Sequence, residues 1–515
     1  MALLQPVDGP RELHARRKLE VFNPATLERT GAIEVATATD VGRAVERARA
    51  AQWGWAELGF DERSRLLMKV REALLDGADA LVETICNDTG KPRIEALGSE
   101  VAACCGVLTF YAKNAKRLLG DERKRLHPVR TGKLVLSYRP LGVVGVIAPW
   151  NFPLLLSLSP SVQALMAGNC VVLKPSEVTP FVGLALAEVC AAAELPDDVF
   201  QVVTGDASTG AALVDAGCDK ISFTGSACTG RKVAEACAQR LLPCTLELGG
   251  KDPLIVCEDA DLERASRCAV WGAFAGAGQV CTSIERVYVV ESVAQPFVDR
   301  VVTLTRQLRQ GPESQGEIDV GALTFPGQLE VIERQIKDAV DRGARVLSGG
   351  RRNPGYEGYF YEPTVLVDVD HAMEIMREET FGPTLPIQTV KDEDEAVRLA
   401  NDSSYGLRAS LWTRDGFRAR QLASRIAAGR VVVNDVPATY AILQSPFGGI
   451  QQSGIGRVSG ELGLKSDCQV QSVVMPRFRV GRDALSYPYS ADALRARERA
   501  LRLLYRSPLG KLLGS

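Results

Sequence analysis

The sequence predicts an α/β protein built on open, largely parallel sheets, and three observations lead there. Short β-rich runs alternate with helical runs from Val143 to Val256, a second alternation covers Leu262 to Val433, and the 515-residue chain exceeds what one hydrophobic core serves. Two or three packed domains are therefore expected. The first run offers strands at Val143–Ala148, Cys170–Lys174, Val199–Val203, Lys220–Phe223, Cys244–Leu248 and Leu254–Val256, most of them continuously apolar. Continuous apolar strands belong to a sheet covered on both faces. Between them, Phe181–Ala193 and Ala227–Gln239 carry the Ala, Leu and Glu of helices.

The second run supplies strands at Arg286–Val290 and Val431–Val433 and helices over Leu329–Asp341 and Asp394–Ala400. Ahead of the first run, Asp121–Pro140 reads as an exposed hairpin, with a strand at Leu134–Tyr138 and Gly132 as a turn residue. No internal repeat at solenoid period is visible.

Composition excludes several classes. With 61 basic and 63 acidic residues the formal net charge is -2, so no polyanion such as nucleic acid is expected as partner. Thirteen cysteines, scattered and without a Cys-x-x-Cys pair, argue against a secreted disulfide framework and for a cytoplasmic, reducing setting. Three histidines make a His-rich metal site improbable, and no metal is expected. The polar start of the chain lacks the apolar core of a signal peptide, and no stretch reads as a membrane span.

Open α/β sheets bind ligands beyond the carboxyl ends of their strands, so the loops there are searched for chemistry. In Phe274-Ala-Gly-Ala-Gly-Gln-Val-Cys281-Thr a thiol follows a Gly-rich stretch whose backbone amides can approach a substrate oxygen. A thiolate adds to a carbonyl readily and leaves readily once water attacks the acyl group. Taken alone, Cys281 is one buried thiol among many. Glu247, in Leu246-Glu-Leu-Gly-Gly-Lys251, stands at a strand end, where apolar surroundings raise a carboxyl pKa towards the range of a general base. Its bland alternative is a solvated strand end.

Asn151, in Ala148-Pro-Trp-Asn-Phe-Pro153, can donate its side-chain amide to an oxyanion or can merely cap a helix. Lys174 and Glu177, in Val171-Val-Leu-Lys-Pro-Ser-Glu177, can hold ribose hydroxyls or lie on a solvated turn. A carboxylate there accepts from a free 2′-hydroxyl and repels a 2′-phosphate, which favours NAD over NADP. Gly225 and Ser226 form a turn into a helix whose N-terminus suits a pyrophosphate. Glu379 and Phe381, in Glu378-Glu-Thr-Phe-Gly-Pro383, add a carboxylate and a ring able to grip a nicotinamide riboside.

In order along the chain, Pro149-Trp150-Asn151-Phe152-Pro153, Lys174-Pro175-Ser176-Glu177, Phe223-Thr224-Gly225-Ser226, Glu247-Leu248-Gly249-Gly250-Lys251, Gly278-Gln279-Val280-Cys281, Glu379-Thr380-Phe381-Gly382-Pro383 and Pro446-Phe447-Gly448-Gly449 resemble the aldehyde dehydrogenase superfamily. The resemblance runs from about Val21 to about Pro476. It implies a Rossmann-type NAD-binding domain (1–121 and 141–248), an α/β catalytic domain (249–450), a small oligomerisation sheet (122–140 and 451–480) and a separate tail (481–515). It also implies Cys281 as nucleophile, Glu247 as the base that frees the acid, and Asn151 as oxyanion donor. Trp150, Lys174, Glu177, Gly225, Ser226, Gly249, Glu379 and Phe381 carry over as contacts to NAD, with NADP possible. Homodimers or homotetramers are implied.

Coenzyme A-acylating relatives generally lack the carboxylate matching Glu247, so hydrolysis of the thioester is expected here. Ala275 stands six positions before Cys281, the stretch after Asn151 has no Arg, and the loop Val436–Leu443 is apolar apart from Thr and Tyr hydroxyls. An uncharged aliphatic or aromatic aldehyde is therefore expected, ahead of succinate semialdehyde, which needs cationic side chains for its distal carboxylate. A cysteine esterase and a catalytically retired structural protein are the rival classes; the cofactor-type motifs and the intact Cys281–Glu247 pair disfavour them. Gln451 replaces the Lys usual in the family's Gly-Gly-x-Lys stretch. In the tail, Leu494, Leu501, Leu504 and Tyr505 recur at helical spacing among Arg495, Arg499, Arg502 and Arg506. Such a helix can touch a membrane surface, but packing on a neighbouring subunit is favoured because the stripe is short.

Overall fold

The computed structural model describes residues 16–124, 132–313, 316–437, 442–476 and 487–506. Its centre is two sheets, each with its own buried apolar cluster. The first has the order Gly454–Ile455, Cys244–Glu247, Lys220–Thr224, Val143–Ile147, Cys170–Lys174, Phe200–Val202, parallel except for Gly454–Ile455. The chain starts at the central strand Val143–Ile147, runs to one edge, then returns and runs to the other. That reversal opens a crevice at the carboxyl ends of the strands on either side of it. Of the crossover helices Leu155–Ala167, Pro180–Ala192, Ala207–Asp215 and Ala227–Gln239, the second and the fourth lie at or within one residue of the two predicted helices.

The second sheet runs Arg345–Ser348, Thr364–Val367, Thr384–Val390, Ile284–Val290, Asp252–Val256, Arg408–Trp412, Arg430–Val433, with only the Arg345–Ser348 pairing antiparallel. One expectation is corrected here. Leu254–Val256, read as the last strand of the first alternation, lies inside the second sheet between Ile284–Val290 and Arg408–Trp412. Gly249 and Gly250 intervene after Glu247, and Asp252 then faces Arg408, its Oδ1 accepting from the Arg408 amide at 3.0 Å. Apolar runs show that a strand is buried but not which sheet it joins.

A third, antiparallel sheet joins Cys468–Pro476, Gly132–Pro140 and Glu122–Lys124. Gly132 is thus the first residue of a nine-residue strand rather than a turn residue, because its partner strand extends to Pro476 opposite it. Within 451–480, Gly454–Ile455 extends the first sheet and only Cys468–Pro476 joins the small one. The tail holds a helix at Ala491–Arg506, with Leu494, Leu501 and Tyr505 exposed.

A continuous helical run, Arg93–Leu118, is long and apolar enough to span a membrane, against the sequence expectation. It includes a π-helical turn over Ala96–Ala102 and packs against Phe60–Asp76 and Leu155–Ala167. Glu100 on it is fully buried with Lys91, and Cys104, Leu108 and Ala115 are fully buried in the first apolar cluster. Those residues serve the core, while Ile94 and Leu97 near its start stay exposed.

Candidate active site

Asn151 follows the central strand Val143–Ile147 and is buried. It does not cap the next helix, whose N-cap is Leu154. Its Nδ2 instead donates to the Gln279 carbonyl at 2.8 Å, two residues before Cys281. An amide group is planar, so fixing one N–H fixes the direction of the other. The sequence left the cap and donor readings open, and the geometry favours the donor.

Gln279 is the organising residue of the cysteine loop. Its Nε2 donates to the Gly276 carbonyl at 3.0 Å, and its Oε1 accepts from the Thr324 amide at 2.8 Å. Gly276, Ala277 and Gly278 ahead of it all have positive φ (58°, 55° and 74°). A left-handed alanine costs about 1 kcal/mol or more and persists only where its surroundings impose it. Gly278 is required for a second reason: a Cβ there would lie 2.1 Å from the Gly382 carbonyl oxygen. The cysteine loop is thereby pressed against the loop of Glu379 and Phe381.

Cys281 and Glu247 line one cavity of about 110 Å³, whose walls include Phe152, Leu155, Leu156, Val280, Phe447 and Val458. Glu247 is buried, not solvated, and its Oε1 has no hydrogen-bond partner. Burial pushes its carboxyl well above the ordinary range, against the pull of Arg457 and Arg430. The Cys281 thiol is also pushed up, first by burial and then by Glu247, Asp252 and Glu379. A thiol, a carboxyl raised by burial and a fixed amide around a mainly apolar cavity can together add a nucleophile to a carbonyl, stabilise the oxyanion and later activate water.

Arg430 on the cavity wall was not anticipated. Its Nη2 donates to the Ser445 and Pro446 carbonyls at 2.8 and 3.3 Å, and its guanidinium lies over the Phe447 ring at 5.1 Å. Its charge is thus engaged by the loop and by Glu247.

The remaining motifs gather on the other side of Cys281 and Glu247. Lys174 ends its strand almost fully buried and donates to Glu177 at 2.6 Å, with Glu177 partly exposed. Ser226 caps the helix Ala227–Gln239, its Oγ accepting from the Thr229 amide. Trp150 and Phe381 meet edge to face at 5.4 Å, Phe381 with φ of 52°. Glu379 accepts from the Gly250 amide at 2.9 Å and lies where a side chain on Gly249 would be, 2.2 Å from its ideal Cβ. Burial and neighbouring Glu285 push the Glu379 carboxyl up.

The Glu379 loop is anchored by residues the sequence reading missed. Lys251 donates to Glu285 at 2.7 Å and to Thr380 Oγ1 at 3.0 Å, while Glu285 accepts from the amides of Thr380 and Phe381. The available signal was the charged pair Glu285-Arg286 inside the otherwise apolar strand Ile284–Val290, since buried charges must be paired. Leaving either member of Lys251–Glu285 alone costs about 3–5 kcal/mol. Of the pocket-closing loop Val436–Leu443, residues 438–441 lie outside the described residues, and Ile442 lines the cavity.

A doubly wound sheet whose crevice holds a half-buried thiol, a buried carboxyl and a dinucleotide-type turn defines a class: oxidoreductases that act on a carbonyl through a covalent cysteine adduct. Residues 12–473 match the profile of the Aldehyde dehydrogenase family, and the chain belongs to that family. It is an enzyme that oxidises aldehydes. It is 41% identical over 448 residues to a 4,4'-diapolycopene aldehyde oxidase of Methylomonas sp, covering 87% of this chain and 83% of that protein. It is 38% identical over 478 residues to a Mycolicibacterium smegmatis protein whose name proposes an NADP(+)-linked succinate-semialdehyde dehydrogenase, covering 92% of each. Among solved structures, a Mycobacterium tuberculosis aldehyde dehydrogenase complexed with NAD+ superposes with a TM-score of 0.86 at 35% identity, covering 91% of this chain and 96% of that one.

Proposed function

We propose that this enzyme oxidises an uncharged, apolar aldehyde to its carboxylic acid, with Cys281 as nucleophile, Glu247 as base and Asn151 as oxyanion donor. The observation that carries the reading is the shared cavity: Cys281 and the unpartnered Glu247 Oε1 share it with mainly apolar walls, broken by Arg430 and by the hydroxyls of Ser159, Ser222, Thr224 and Ser459. Cys281 Sγ bonds to the aldehyde carbon, and the carbonyl oxygen takes the negative charge. The Asn151 Nδ2–H and the Cys281 backbone N–H donate to that oxygen. The hydride acceptor for that carbon would be supplied by NAD(P), held by the residues described below, and Cys281 would keep the acyl group as a thioester. Glu247 then takes a proton from water, the water oxygen attacks the thioester carbon, and the C–S bond breaks to return the thiolate.

The donor set fits a dinucleotide. Lys174 and Glu177 offer an ammonium and a carboxylate to a ribose diol, the helix start at Ser226 suits a pyrophosphate, and Trp150, Gly249, Glu379 and Phe381 would hold the nicotinamide end. Glu177 favours NAD over NADP. Residues 1–121 and 141–248 would form the cofactor domain and 249–450 the catalytic one.

Succinate semialdehyde, suggested by one relative's name, is the second reading. Arg430 is the feature in its favour, but that guanidinium is held on two carbonyls and a ring. Glu247 and Glu95, on this cavity and on the adjoining one behind Phe152 and Val280, offer a distal carboxylate no positive charge. Initial rates over hexanal, decanal, benzaldehyde and succinate semialdehyde, with NAD and then NADP, test both points. The neutral aldehydes should exceed the semialdehyde in kcat/KM by about 100-fold or more, the equivalent of about 2.7 kcal/mol. The reverse ranking would overturn the apolar assignment.

The strand Cys468–Pro476 exposes Val470, Val474 and Met475 at the edge of the small sheet. A long apolar edge is a pairing surface, and we assign it to a homodimer or homotetramer. Val474→Lys should lower the sedimenting mass in ultracentrifugation; an unchanged mass removes this edge from the interface. The helix Ala491–Arg506 is assigned to subunit packing, and vesicle binding lost on its deletion would reassign it to a membrane surface.

A further inference from the structure

We propose that Lys91, Glu95 and Glu100 form one positioning clamp that sets the oxyanion donors against each other, an inference that rests on Asn151 being such a donor. The three belong to one short stretch, and each holds a different part of the site. Lys91 Nζ donates to the Asn151 carbonyl at 2.8 Å and to Glu100 Oε1 at 2.7 Å. Glu100 Oε2 accepts from the amides of Leu154 and Leu155 at 2.7 and 3.3 Å, capping a helix start that has no side-chain cap of its own. The ion pair therefore grips the Asn151 turn at both ends. The Lys91 ammonium also lies 4.1 Å from the centroid of the Phe152 ring, which walls the cavity.

Glu95 reaches the other half. Both of its oxygens accept from the Gly276 amide at 3.0 Å, in the left-handed loop that leads into Cys281. The segment just ahead of Lys91 ties in the same loop: the Gly90 carbonyl accepts from Ala322 and the Thr89 carbonyl from Thr324 Oγ1, while the Thr324 amide donates to Gln279. Glu100 faces inward from the π-helical turn Ala96–Ala102, a local irregularity that often marks a functional position. Lys91 and Glu100 are 5% and 0% exposed in their side chains, so water does not compete for these bonds. An ion pair closed from solvent and bonded at every reach fixes geometry more than it adds stability. These are positioning residues: none of them needs to touch substrate.

The test is a double-mutant cycle in the full-length enzyme with NAD. Glu100→Gln keeps the shape and one acceptor while removing the charge, and Glu100→Asp restores the charge on a shorter arm. Asn151→Ala alone should lower the single-turnover rate of NADH formation about 100-fold; if it does not, the oxyanion reading itself fails. Glu100→Gln should lower the same rate about tenfold with KM within twofold of wild type, and Glu100→Asp should recover part of it. In the Asn151→Ala background Glu100→Gln should add less than a twofold loss. A full tenfold loss there, or a loss in KM alone, would overturn the clamp. Cys281 alkylation by iodoacetamide serves as the fold control. It should keep its wild-type pH profile in Glu100→Gln, whereas a general loosening of the site would shift it.

Discussion

Cys281→Ala should abolish aldehyde-dependent NADH formation, by about 10⁵-fold or more, while NAD affinity measured by calorimetry stays within about twofold. The size of the loss follows from the cavity. Among the described residues lining it, Cys281 is the one thiol, and the other cysteines lie elsewhere in cores or on outer helices. Removing a nucleophile leaves only the binding and oxyanion contributions, which give modest acceleration over water. Cys281→Ser should be nearly as inactive, because a hydroxyl in a site that already disfavours anions ionises far less than a thiol. Hydrolysis of an activated ester without cofactor should disappear in the same variants. Wild-type ester hydrolysis unaccompanied by any NADH formation would move the chain to a cysteine esterase function.

The candidate positions were legible because each stands next to a small-residue turn, at a strand end for Glu247 and ahead of the strand Ile284–Val290 for Cys281, and such turns follow a local rule. Glu247 ends the strand Cys244–Glu247 before Gly249-Gly250, Cys281 follows Gly276–Gly278, and Ser226 follows Gly225 as the cap of a helix. What supports them was not legible. Lys91 and Asn151 are 60 residues apart and Lys251 and Thr380 are 129 apart. No spacing in a single sequence announces such a contact. The strand Asp252–Val256 was assigned to the wrong sheet for a related reason: burial is written into its apolar residues, but its neighbours depend on where Asp252 finds Arg408. Arg430 escaped notice because the strand Arg430–Val433 was recognised only by its three valines. The Arg93–Leu118 helix shows the converse failure, since composition alone cannot separate a core helix from a membrane span.

Glu247→Gln should separate the two halves of the reaction. Glutamine keeps the volume but cannot take a proton, so acylation of Cys281 continues and release of the acid does not. A burst of NADH close to one per active site should therefore precede a steady rate about 10³-fold below wild type. Trapping the acylated protein by acid quench and reading its mass on the Cys281 peptide measures this directly. The pH dependence gives a second, independent reading. Burial raises the Glu247 carboxyl, so at any given pH more of it is protonated, and inactive as a base, than of an ordinary carboxyl. Wild-type turnover should then climb with pH through that raised value, and the climb should vanish in Glu247→Gln. Stability should run the opposite way. A carboxyl raised above its unfolded value binds more protons in the folded state, so its contribution falls as pH rises from the ordinary carboxyl range. Glu247→Gln should accordingly gain in Tm over wild type at pH 9 and show little gain at pH 5. A variant that loses the burst together with the steady rate would instead make Glu247 part of acylation, as the base that removes the Cys281 proton.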